Sequence, residues 1–510
     1  MASRFPRNGN TRVTVPRAWL PRRLLQTLRP QSGARRESLH RYTRSSMKSA
    51  TFSARTRVFA AGWALASLYD KLWWKHWSGA PSNFAVVAAA LLLIARPGSA
   101  TVLLAFAAAQ VVDWFSEPTV MGGHFVLLAF ANASILVTGA WMLATGRLRG
   151  DGGPSVLQAA APALRAELVV VYLLAALHKL NADFLDPESS CVTMLLRDPV
   201  QQALPLKFLP SAPDGILVPA IHGTLLVEAT IPFLLWMRRA RAAGAALALL
   251  FHSFISSGPR NGFSAFAIVV FPLLVLFMSE DCAARLVGTA RGLQRWLSAG
   301  PTGRLGPVLA LLGLLLLSAS AHKLGMVRLF PFWITLDLLV LAFFAGEVIH
   351  HRGDIGDPSP GFFDVESTVL AVMPILLLVN GLSPYLGLKT ETSFAMISNL
   401  RTEGAHPNSL VVPGETKLFG LQDDLVEVKE TSVPELLPYV GKGLRLPFFH
   451  LRSLLTPHPA ASLVFVRDGR EIRIDRVDRH RDLLPPVPAW QRRLMPFRAV
   501  EADGPQRCRH

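Results

Sequence analysis

The sequence has few cysteines, few charged residues and none of the motifs of common soluble enzymes. Its 510 residues include three cysteines, Cys191, Cys282 and Cys508, and no CxxC pair. This spacing supplies no metal or haem motif, and although one disulfide can form, nothing requires it. GxSxG, P-loop, GxGxxG and HExxH motifs are also missing, so the common hydrolases, nucleotide-binding enzymes and zinc proteases receive no support.

Long apolar runs dominate the rest of the chain. Charged residues make up 17% of the sequence and hydrophobic residues 51%, with a mean hydropathy of +0.35. Almost uncharged runs occur at 84–95, 99–112, 125–146, 168–177, 262–278, 305–319 and 366–379. They mostly lack the polar face that a helix in a soluble core would show. Since each approaches the length that crosses a bilayer, the pattern predicts an all-α polytopic membrane bundle of about 9–11 transmembrane helices.

The runs and the composition together predict three regions. Spans are expected near 58–75, 83–96, 99–116, 124–146, 157–178, 216–237, 241–257, 262–279, 305–321, 329–346 and 366–384. Pro97-Gly98 also allows a re-entrant turn between two short runs. Residues 1–57 are expected to form a basic disordered segment, 58–384 the transmembrane domain, and 385–510 a small extramembrane α+β domain. Within the last region, 462–477 predicts a β-hairpin around Asp468-Gly469.

Positive charge is concentrated at the N-terminus. Residues 1–57 contain thirteen arginines and Lys48 against one acid, Glu37, which leaves about +4 of the formal +17 to the remaining chain. A mitochondrial-type targeting segment has this composition. Disordered cytoplasmic sequence, with Met47 as an alternative start, is the explanation we favour. No nucleic-acid partner is expected, because no domain of that kind accompanies the segment.

Loop charges orient the expected helices. Arginines at 238, 239, 241, 285, 291, 295 and 304 predict cytoplasmic loops, and the N-terminus is expected on the same side. Alternation then places the acidic 180–215 loop on the non-cytoplasmic side. Lys179, His124, His252 and the C-terminal domain follow it there. Since these assignments agree, we expect a cell-membrane protein with its C-terminal domain outside the cytoplasm.

The stretch "LLAALHKLNADFLDP", residues 173–187, places Lys179 where an apolar run stops. A lysine at a helix end can simply extend its ammonium to the interface. Here, however, His178 precedes it, and Asn181 and Asp183 follow. Glu167 and Arg165 lie further back in the same run. Burial disfavours the charged form of an amine, so a lysine in a dry polar cluster can accept a proton from a phenol or quinol.

Other polar residues lie within or beside the expected spans. His124 follows Gly122-Gly123 and could stabilise an anion, although an ordinary interfacial histidine is the simpler explanation. His222 and Glu228 are six residues apart and do not share a helix face, so they do not predict a metal site, and Glu228 must have a partner or be protonated. His252 and Asn261 lie near a helix–turn–helix junction, where a polar hairpin is the alternative. Weaker candidates are Asp113, Asp337 and Glu347.

These residues resemble motifs of the HTTM superfamily, which includes the vitamin K-dependent γ-carboxylase. "HKLNADF", 178–184, is similar to the family's "KKLDADW", and "GGHFVLLAF", 122–130, to "NNHSYLYGL". "HGTLLVEATIPFLLW" and "FHSFISSGPRNGFSAFAIVVF" resemble the next membrane segments in order. "TETSFAMISNLRTEG", 390–404, lies where the family has a "YSWDMM"-like stretch. The resemblance covers roughly 55–405.

The resemblance implies a chemistry. It makes Lys179 the base that deprotonates a quinol and His124 the partner that stabilises the resulting anion, with oxygen then adding to give an epoxide. The expected cofactor is reduced vitamin K or a menaquinone-like quinol, without a metal. Residues expected to contact it are His178, Asn181, His222, His252 and Asn261. Expected partners are membrane lipid and this lipid-soluble quinol, and the resemblance leaves any protein substrate unknown.

Departures from the family pattern argue against carboxylation of protein glutamates. The extramembrane region is only about 125 residues, Ala395 stands near the family's tryptophan, and Asn181 replaces an acid. The competing interpretation is a non-enzymatic membrane scaffold or a transport-like protein, in which the polar residues stabilise helix packing. Because the family is common in bacteria, the expected location is the bacterial inner membrane.

Overall fold

The structure is a computed structural model. It describes residues 53–73, 79–116, 122–148, 153–198, 214–257, 263–300, 303–306, 309–310, 312–314, 316, 330–350 and 363–508. Phe52–His510 form one compact unit. Residues 1–52 of the predicted basic segment, 1–57, lie outside the described residues. Asn261 and most of the expected span 305–321 also lie outside them.

Most of the described chain before residue 387 is helical. The helices are α1 (Ala54–Trp73), α2 (Pro81–Ala95), α3 (Ala100–Ser116), α4 (Gly123–Ala144), α5 (Gly153–Lys179), the short α6 (Ala182–Leu185) and α7 (Cys191–Arg197), α8 (Asp214–Trp236), α9 (Arg241–Ser256), α10 (Phe263–Val275), α11 (Glu280–Ala299), α12 (Phe330–His350) and α13 (Val372–Leu386). A 3-10 turn, Thr368–Ala371, precedes α13. The long helices coincide closely with the expected spans, because uninterrupted apolar runs favour continuous helices.

Four helical stretches are long and apolar enough to cross a membrane: Gly123–Ala144, Val156–Lys179, Gly215–Trp236 and Thr368–Leu386. A fifth candidate is the pair Ser264–Val275 and Glu280–Ala299, which bends by 114°. Pro81–Ala95, Ala100–Ser116 and Arg241–Ser256 are shorter apolar helices. The described chain is therefore a mostly helical bundle with several segments suited to a bilayer.

The largest difference from the sequence-based expectation lies after Val275. We expected a basic loop from Arg285 onward, but residues Glu280–Ala299 form the helix α11. Ser279 caps its first turn by accepting a hydrogen bond from the Cys282 amide, at 3.2 Å. The arginines are compatible with a helix because they are spaced along it, with leucines between them. An amphipathic helix was overlooked because its charge was taken as the sign of a loop.

Glycines allow helices of the bundle to approach closely. A Cβ on Gly244 in α9 would lie 2.9 Å from the Leu235 amide nitrogen in α8, and one on Gly381 in α13 would lie 2.1 Å from Leu174 Cδ1 in α5. Small residues at such crossings are typical of helix packing in membranes, where van der Waals contact is a main driving force. The crossing at Gly381 brings α13 against the polar end of α5.

The C-terminal domain is built on an antiparallel sheet. Its strands are β1 (Leu425–Thr431), β2 (Leu444–Pro447), β3 (Leu463–Arg467), β4 (Arg470–Ile474) and β5 (Val500–Glu501), in the order β4-β3-β1-β2-β5. The short helices α14 (Phe448–Leu455) and α15 (Ala489–Leu494) accompany it. The predicted hairpin is confirmed, with Asp468 at φ 51° and Gly469 at φ 73° between β3 and β4. Both angles suit a two-residue type I′ turn.

Gly387 fixes how the bundle continues into this domain. It ends α13 with φ 80°, in the left-handed region that favours glycine. A Cβ there would lie 1.9 Å from the Phe419 carbonyl oxygen. The Leu418 and Phe419 amides both donate to Leu386 O, at 3.1 Å each. The domain is therefore attached directly to the end of the last described bundle helix.

The pH dependence of this domain is expected to include His450 in α14. Burial lowers the pKa of His450 from 6.5 to about 4, and its Nδ1 accepts a hydrogen bond from the Phe497 amide at 3.5 Å. The folded state thus prefers neutral histidine, so stability falls as the pH drops from 6.5 toward 4, by up to about 3 kcal/mol. Comparing unfolding of the wild type with His450→Gln across this range measures it. The variant keeps an acceptor and should lose that part of the pH dependence, and identical pH profiles would refute the assignment.

Candidate functional site

Lys179, the last residue of α5, lies in an ion pair inside the bundle. Its Nζ is 2.7 Å from Glu228 Oε2 in α8, and the residue is only 3% exposed. Nζ also lies 3.5 Å from the Ala175 carbonyl oxygen and 5.9 Å from the centre of the Phe184 ring. A lysine that served as an interfacial anchor would expose its ammonium, so this geometry does not fit that role.

Tyr172 and His252 extend the pair into a small polar cluster. His252 Nε2 in α9 lies 2.9 Å from the Tyr172 hydroxyl in α5. Tyr172 lies close enough to Glu228 to interact with it electrostatically. His252 interacts with Lys179 in the same way. We call these four residues the Lys179 cluster. They come from three helices, and all of them are buried.

His124 belongs to a second buried polar group. Its Nε2 lies 3.6 Å from Asp70 Oδ1 in α1. Next to Asp70 in the sequence, Lys71 forms an ion pair with Asp113 of α3 at 2.5 Å, and Asn83 Nδ2 of α2 donates to Asp113 at 2.7 Å. We call these five residues the His124 cluster. It connects the first four helices by charged and polar contacts.

The two clusters lie at the same end of the bundle. The helices α4 and α5 are neighbours in the chain and pack together, so the start of α4, with His124, lies near the end of α5, with Lys179. Each residue has its own carboxylate partner, Asp70 for His124 and Glu228 for Lys179. The structure therefore gives the two predicted catalytic residues separate carboxylate partners at one end of the bundle.

His178 and Asn181 lie beside Lys179 but make other contacts. His178 Nε2 is 3.0 Å from the Gly381 carbonyl oxygen in α13, and its ring packs near Tyr385. Asn181 caps α6 by accepting from the Phe184 amide at 2.8 Å. Both amide protons of Asn181 are used, toward His178 O and Ser398 O. The contacts of Asn181 are those of a structural residue that holds the end of α5.

The remaining predicted residues are more dispersed. His222 is exposed on α8, and its Nδ1 lies 2.9 Å from the Val218 carbonyl oxygen of its own helix. Asn261 lies outside the described residues. Glu167, grouped with Lys179 in the sequence, accepts instead from Ser134 Oγ of α4 at 2.5 Å. Arg165 donates to Leu276 O at 2.9 Å. About three helical turns separate Glu167 from Lys179, which explains why they do not meet.

The segment 390–401 covers this end of the bundle, and we call it the outer segment. Four of its residues other than glycine have positive φ: Thr392 at 60°, Phe394 at 64°, Ile397 at 54° and Asn399 at 53°. Such a conformation is uncommon for these residue types and persists where surrounding contacts enforce it. Arg498 supplies several of these contacts by donating to the carbonyl oxygens of Thr390, Ala395 and Leu400.

Gly123, beside His124, is expected to be sensitive to substitution. A Cβ there would lie 2.6 Å from Met396 Cε and 3.3 Å from Phe394 Cδ1 of the outer segment. Gly123→Ala should therefore push aside the end of the Met396 side chain and crowd the Phe394 ring, which leaves it less stable than Gly223→Ala by about 1 kcal/mol. Gly223→Ala is a matched control, because a Cβ on that helical glycine meets nothing within 4 Å. Equal stability of the two variants would contradict the close packing at His124.

A disulfide joins the loop after Lys179 to the end of the chain. Cys191, at the start of α7, is bonded to Cys508, 317 residues later. Asn399 donates to both Ser189 O and Gln506 O at 2.8 Å, and Asp183 Oδ2 accepts from the Gln506 amide at 2.8 Å. The sequence allowed one disulfide without requiring it. In the structure it joins the 180–198 loop to the C-terminus, and Asn399 connects both of them to the outer segment by hydrogen bonds.

Tyr172, Asp70, Lys71 and Asn83 were not identified from the sequence as candidates. Two adjacent charged residues, Asp70 and Lys71, lie within the expected span 58–75. Ionisable residues at membrane depth are a signal of function or of buried pairing, so this pair could have been found. Tyr172 gave no such signal, since a tyrosine in an apolar helix is ordinary. Its contact with His252 depends on how α5 and α9 pack.

The comparison with protein families supports one assignment. The model of the HTTM domain matches residues 122–282. Neither curated proteins nor solved structures gave a match. The matched range runs from the start of α4 to the first turn of α11, and it includes His124 and the whole Lys179 cluster. Residues 122–282 therefore match an HTTM domain, in agreement with the family expected from the motifs.

Proposed function

We propose that this chain is an integral membrane protein of the bacterial inner membrane. Four apolar helical stretches of suitable length support this, as does the HTTM domain. Large apolar side chains face outward along the helices, including Leu143, Leu226 and Phe233, each more than 60% exposed. The Lys71–Asp113 and Lys179–Glu228 ion pairs, in contrast, lie inside the bundle. Lipid contact explains this distribution, because apolar surface in such quantity is costly in water.

The end with Lys179 faces away from the cytoplasm in this proposal. The Cys191–Cys508 disulfide is consistent with that side, since such bonds persist in oxidising compartments. Arg238 and Arg239, between α8 and α9, and Arg241, the first residue of α9, lie at the opposite end. The positive-inside rule places such residues on the cytoplasmic side. The N-terminus is then cytoplasmic and the C-terminal domain is external.

The Lys179 cluster is proposed to remove a proton from a lipid-soluble quinol, such as reduced vitamin K or a menaquinone-like quinol. The single observation that carries this proposal is the buried Lys179–Glu228 pair with Tyr172 and His252 around it. The residues present fit such a ligand. His252 Nδ1 is buried without a hydrogen-bond partner among the described residues, so it can contact a phenolic oxygen.

The pair can act as a base through a proton that passes between its two members. Lys179 Nζ and Glu228 Oε2 lie 2.7 Å apart, close enough for that transfer. If that proton lies on Glu228, Lys179 Nζ is a neutral amine and can take one more proton from a quinol hydroxyl. Burial lowers the energetic advantage of the charged arrangement, because charges lose their hydration. His124, whose own partner is Asp70, is proposed to stabilise the resulting anion from the side of α4.

The overall reaction proposed is quinol plus O₂ giving quinone epoxide plus water. The quinol gives up four electrons in total, two in becoming a quinone and two in forming the epoxide, and O₂ accepts all four. One oxygen atom becomes the epoxide oxygen, and the other leaves as water with the two hydroxyl protons. Apart from holding and moving protons, the chain's own residues keep bulk water out. Peptide carboxylation is no part of this proposal, because the sequence departs from the family at Asn181 and Ala395 and the extramembrane domain is small.

Turnover of purified protein tests this function. The protein in lipid nanodiscs receives reduced menaquinone or reduced vitamin K and oxygen, and epoxide is measured by chromatography. Lys179→Met should reduce epoxide to background and Glu228→Gln should reduce it strongly. Arg147→Met is the matched control, because Arg147 forms an exposed ion pair with Glu366 at the other end of α4. Wild-type protein without epoxide formation, or Lys179→Met with full turnover, refutes the proposed role.

A non-enzymatic scaffold is the second candidate. It is favoured by the observation that Glu228 is tied to a neighbouring helix, since a buried pair can stabilise helix packing without chemistry. A scaffold role requires only that a lysine and a glutamate pair between α5 and α8, whichever helix carries the lysine. Exchanging the partners, Lys179→Glu with Glu228→Lys, would then preserve stability and any partner binding. The enzyme requires the amine on α5 and loses turnover in the exchanged variant.

A further inference from the structure

The amphipathic helix α11 leaves the bundle at a steep angle. It follows α10 after a bend of 114°. Its start is held in place, with the Ser53 hydroxyl and the Ala54 amide donating to Glu280 and the Ser279 amide donating to Glu347 at 3.3 Å. If α10 runs through the bilayer, a helix bent this far lies across the end of the bundle, near the level of the lipid headgroups.

The two halves of α11 have different surroundings. Cys282, Ala283 and Leu286 in the first half are buried in the bundle. In the second half, Leu293 is 55% exposed and Trp296 is 71% exposed. Leu293 lies two turns after Leu286 on the same side of the helix. The apolar face thus continues beyond the bundle that covers its first part.

The charge of α11 is also divided along its length. Its acidic residues, Glu280 and Asp281, are the first two of the helix. Arg291 and Arg295 are exposed in the second half, and the sequence contains no further acid until Asp337. At the helical angle, both arginines lie on the side away from Leu293. A helix with one apolar and one basic face is suited to an anionic lipid surface.

We propose that the second half of α11 binds acidic phospholipid headgroups at the cytoplasmic surface, with Leu293 and Trp296 in the acyl layer and Arg291 and Arg295 at the phosphates. The inference rests on the membrane placement of the proposed function but not on its chemistry. By the same alternation of helices, α11 lies on the side of Arg238 and Arg241. Acidic lipids attract basic segments on that side of a membrane.

Spin labels on the full chain test this placement. Cys191 and Cys508 are disulfide-bonded and Cys282 is buried, so a label reacts selectively with a new cysteine at Leu293→Cys. The protein is placed in nanodiscs of phosphatidylcholine, with or without 30% phosphatidylglycerol. Relaxation by oxygen, which is concentrated in lipid, is compared with relaxation by a water-soluble nickel chelate. Gln294→Cys, exposed on another side of α11, is the matched control.

The expected result is a label at Leu293 that favours oxygen when phosphatidylglycerol is present, and a label at Gln294 that favours nickel. Adding Arg291→Glu and Arg295→Glu should lower the oxygen-to-nickel ratio at Leu293 several-fold. A Leu293 label open to nickel in acidic discs overturns the proposal. The proposal also fails if the oxygen-to-nickel ratio of the Leu293 label changes neither with lipid charge nor with charge reversal of the two arginines.

A label at Leu226→Cys separates this inference from the membrane placement itself. Leu226 is 67% exposed in the middle of α8. If it favours oxygen while Leu293 favours nickel, the bundle is in the membrane and only the role of α11 is wrong. If Leu226 also favours nickel, the membrane placement fails as well. Epoxide formation by the same samples reports independently on the chemistry.

Discussion

Lys179→Met is expected to have the largest effect of any single substitution in the bundle. It leaves the Glu228 carboxylate buried without its cation, 2.7 Å from where the ammonium was. Removing one partner of a buried pair typically costs about 3–5 kcal/mol. We therefore expect lower stability in detergent or nanodiscs, together with the loss of quinol turnover. Thermal unfolding followed by tryptophan fluorescence or by light scattering measures the first effect.

The double variant Lys179→Met with Glu228→Leu separates the two effects. Removing both charges relieves the unpaired carboxylate, so most of the lost stability should return. Turnover should not return, because no amine is left to accept the proton. A double variant that regains turnover would show that the pair serves packing alone. One that remains as unstable as Lys179→Met would show that the carboxylate was not the source of the loss.

Cys508→Ser is expected to have the second largest effect. The Cys191–Cys508 bond closes a separation of 317 residues, and removing a natural disulfide typically costs about 2–5 kcal/mol. The C-terminus would then be held by hydrogen bonds, such as the one that Asn399 donates to Gln506 O and the one that the Gln506 amide donates to Asp183. We expect easier unfolding of the C-terminal domain and faster proteolysis of the 180–198 loop, both measurable on the purified protein.

Reduction of the wild-type protein is the matching experiment for Cys508→Ser. Treatment with a reductant should reproduce the lower stability of the variant and should leave Cys508→Ser itself unchanged. Cys191→Ser combined with Cys508→Ser should resemble either single variant, since all three lose the same bond. Different stabilities among them, or no response of the wild type, would mean that the bond does not hold this region.

The bundle helices could be predicted from the sequence because each corresponds to an apolar run with few interruptions. The Asp468-Gly469 hairpin could be predicted because the turn has a strong local signal. Helix α11 could not be recognised by hydropathy alone, since its arginines resemble those of a loop. The pairing of Cys191 with Cys508 was equally inaccessible, because three cysteines allow three pairings and the answer depends on the position of the C-terminus.

The partners of the individual site residues could not be predicted from the sequence either. Lys179, Glu228 and His252 each attracted attention as polar residues in apolar surroundings. That Glu228 faces Lys179, while His124 faces Asp70, depends on the packing of α8 against α5 and of α1 against α4. Sequence spacing describes one helix at a time. It could not show that Glu167 lies against Ser134 or that Tyr172 meets His252.

Isotope labelling tests the central claim most directly, which is that the Lys179–Glu228 pair starts the oxidation of a quinol. Purified protein in nanodiscs is given reduced menaquinone or vitamin K and ¹⁸O₂, and the quinone product is analysed by mass spectrometry. The proposed reaction predicts one ¹⁸O atom in the epoxide formed by the wild type and none with Lys179→Met. Unlabelled quinone from both proteins, or equal labelling in both, would contradict it.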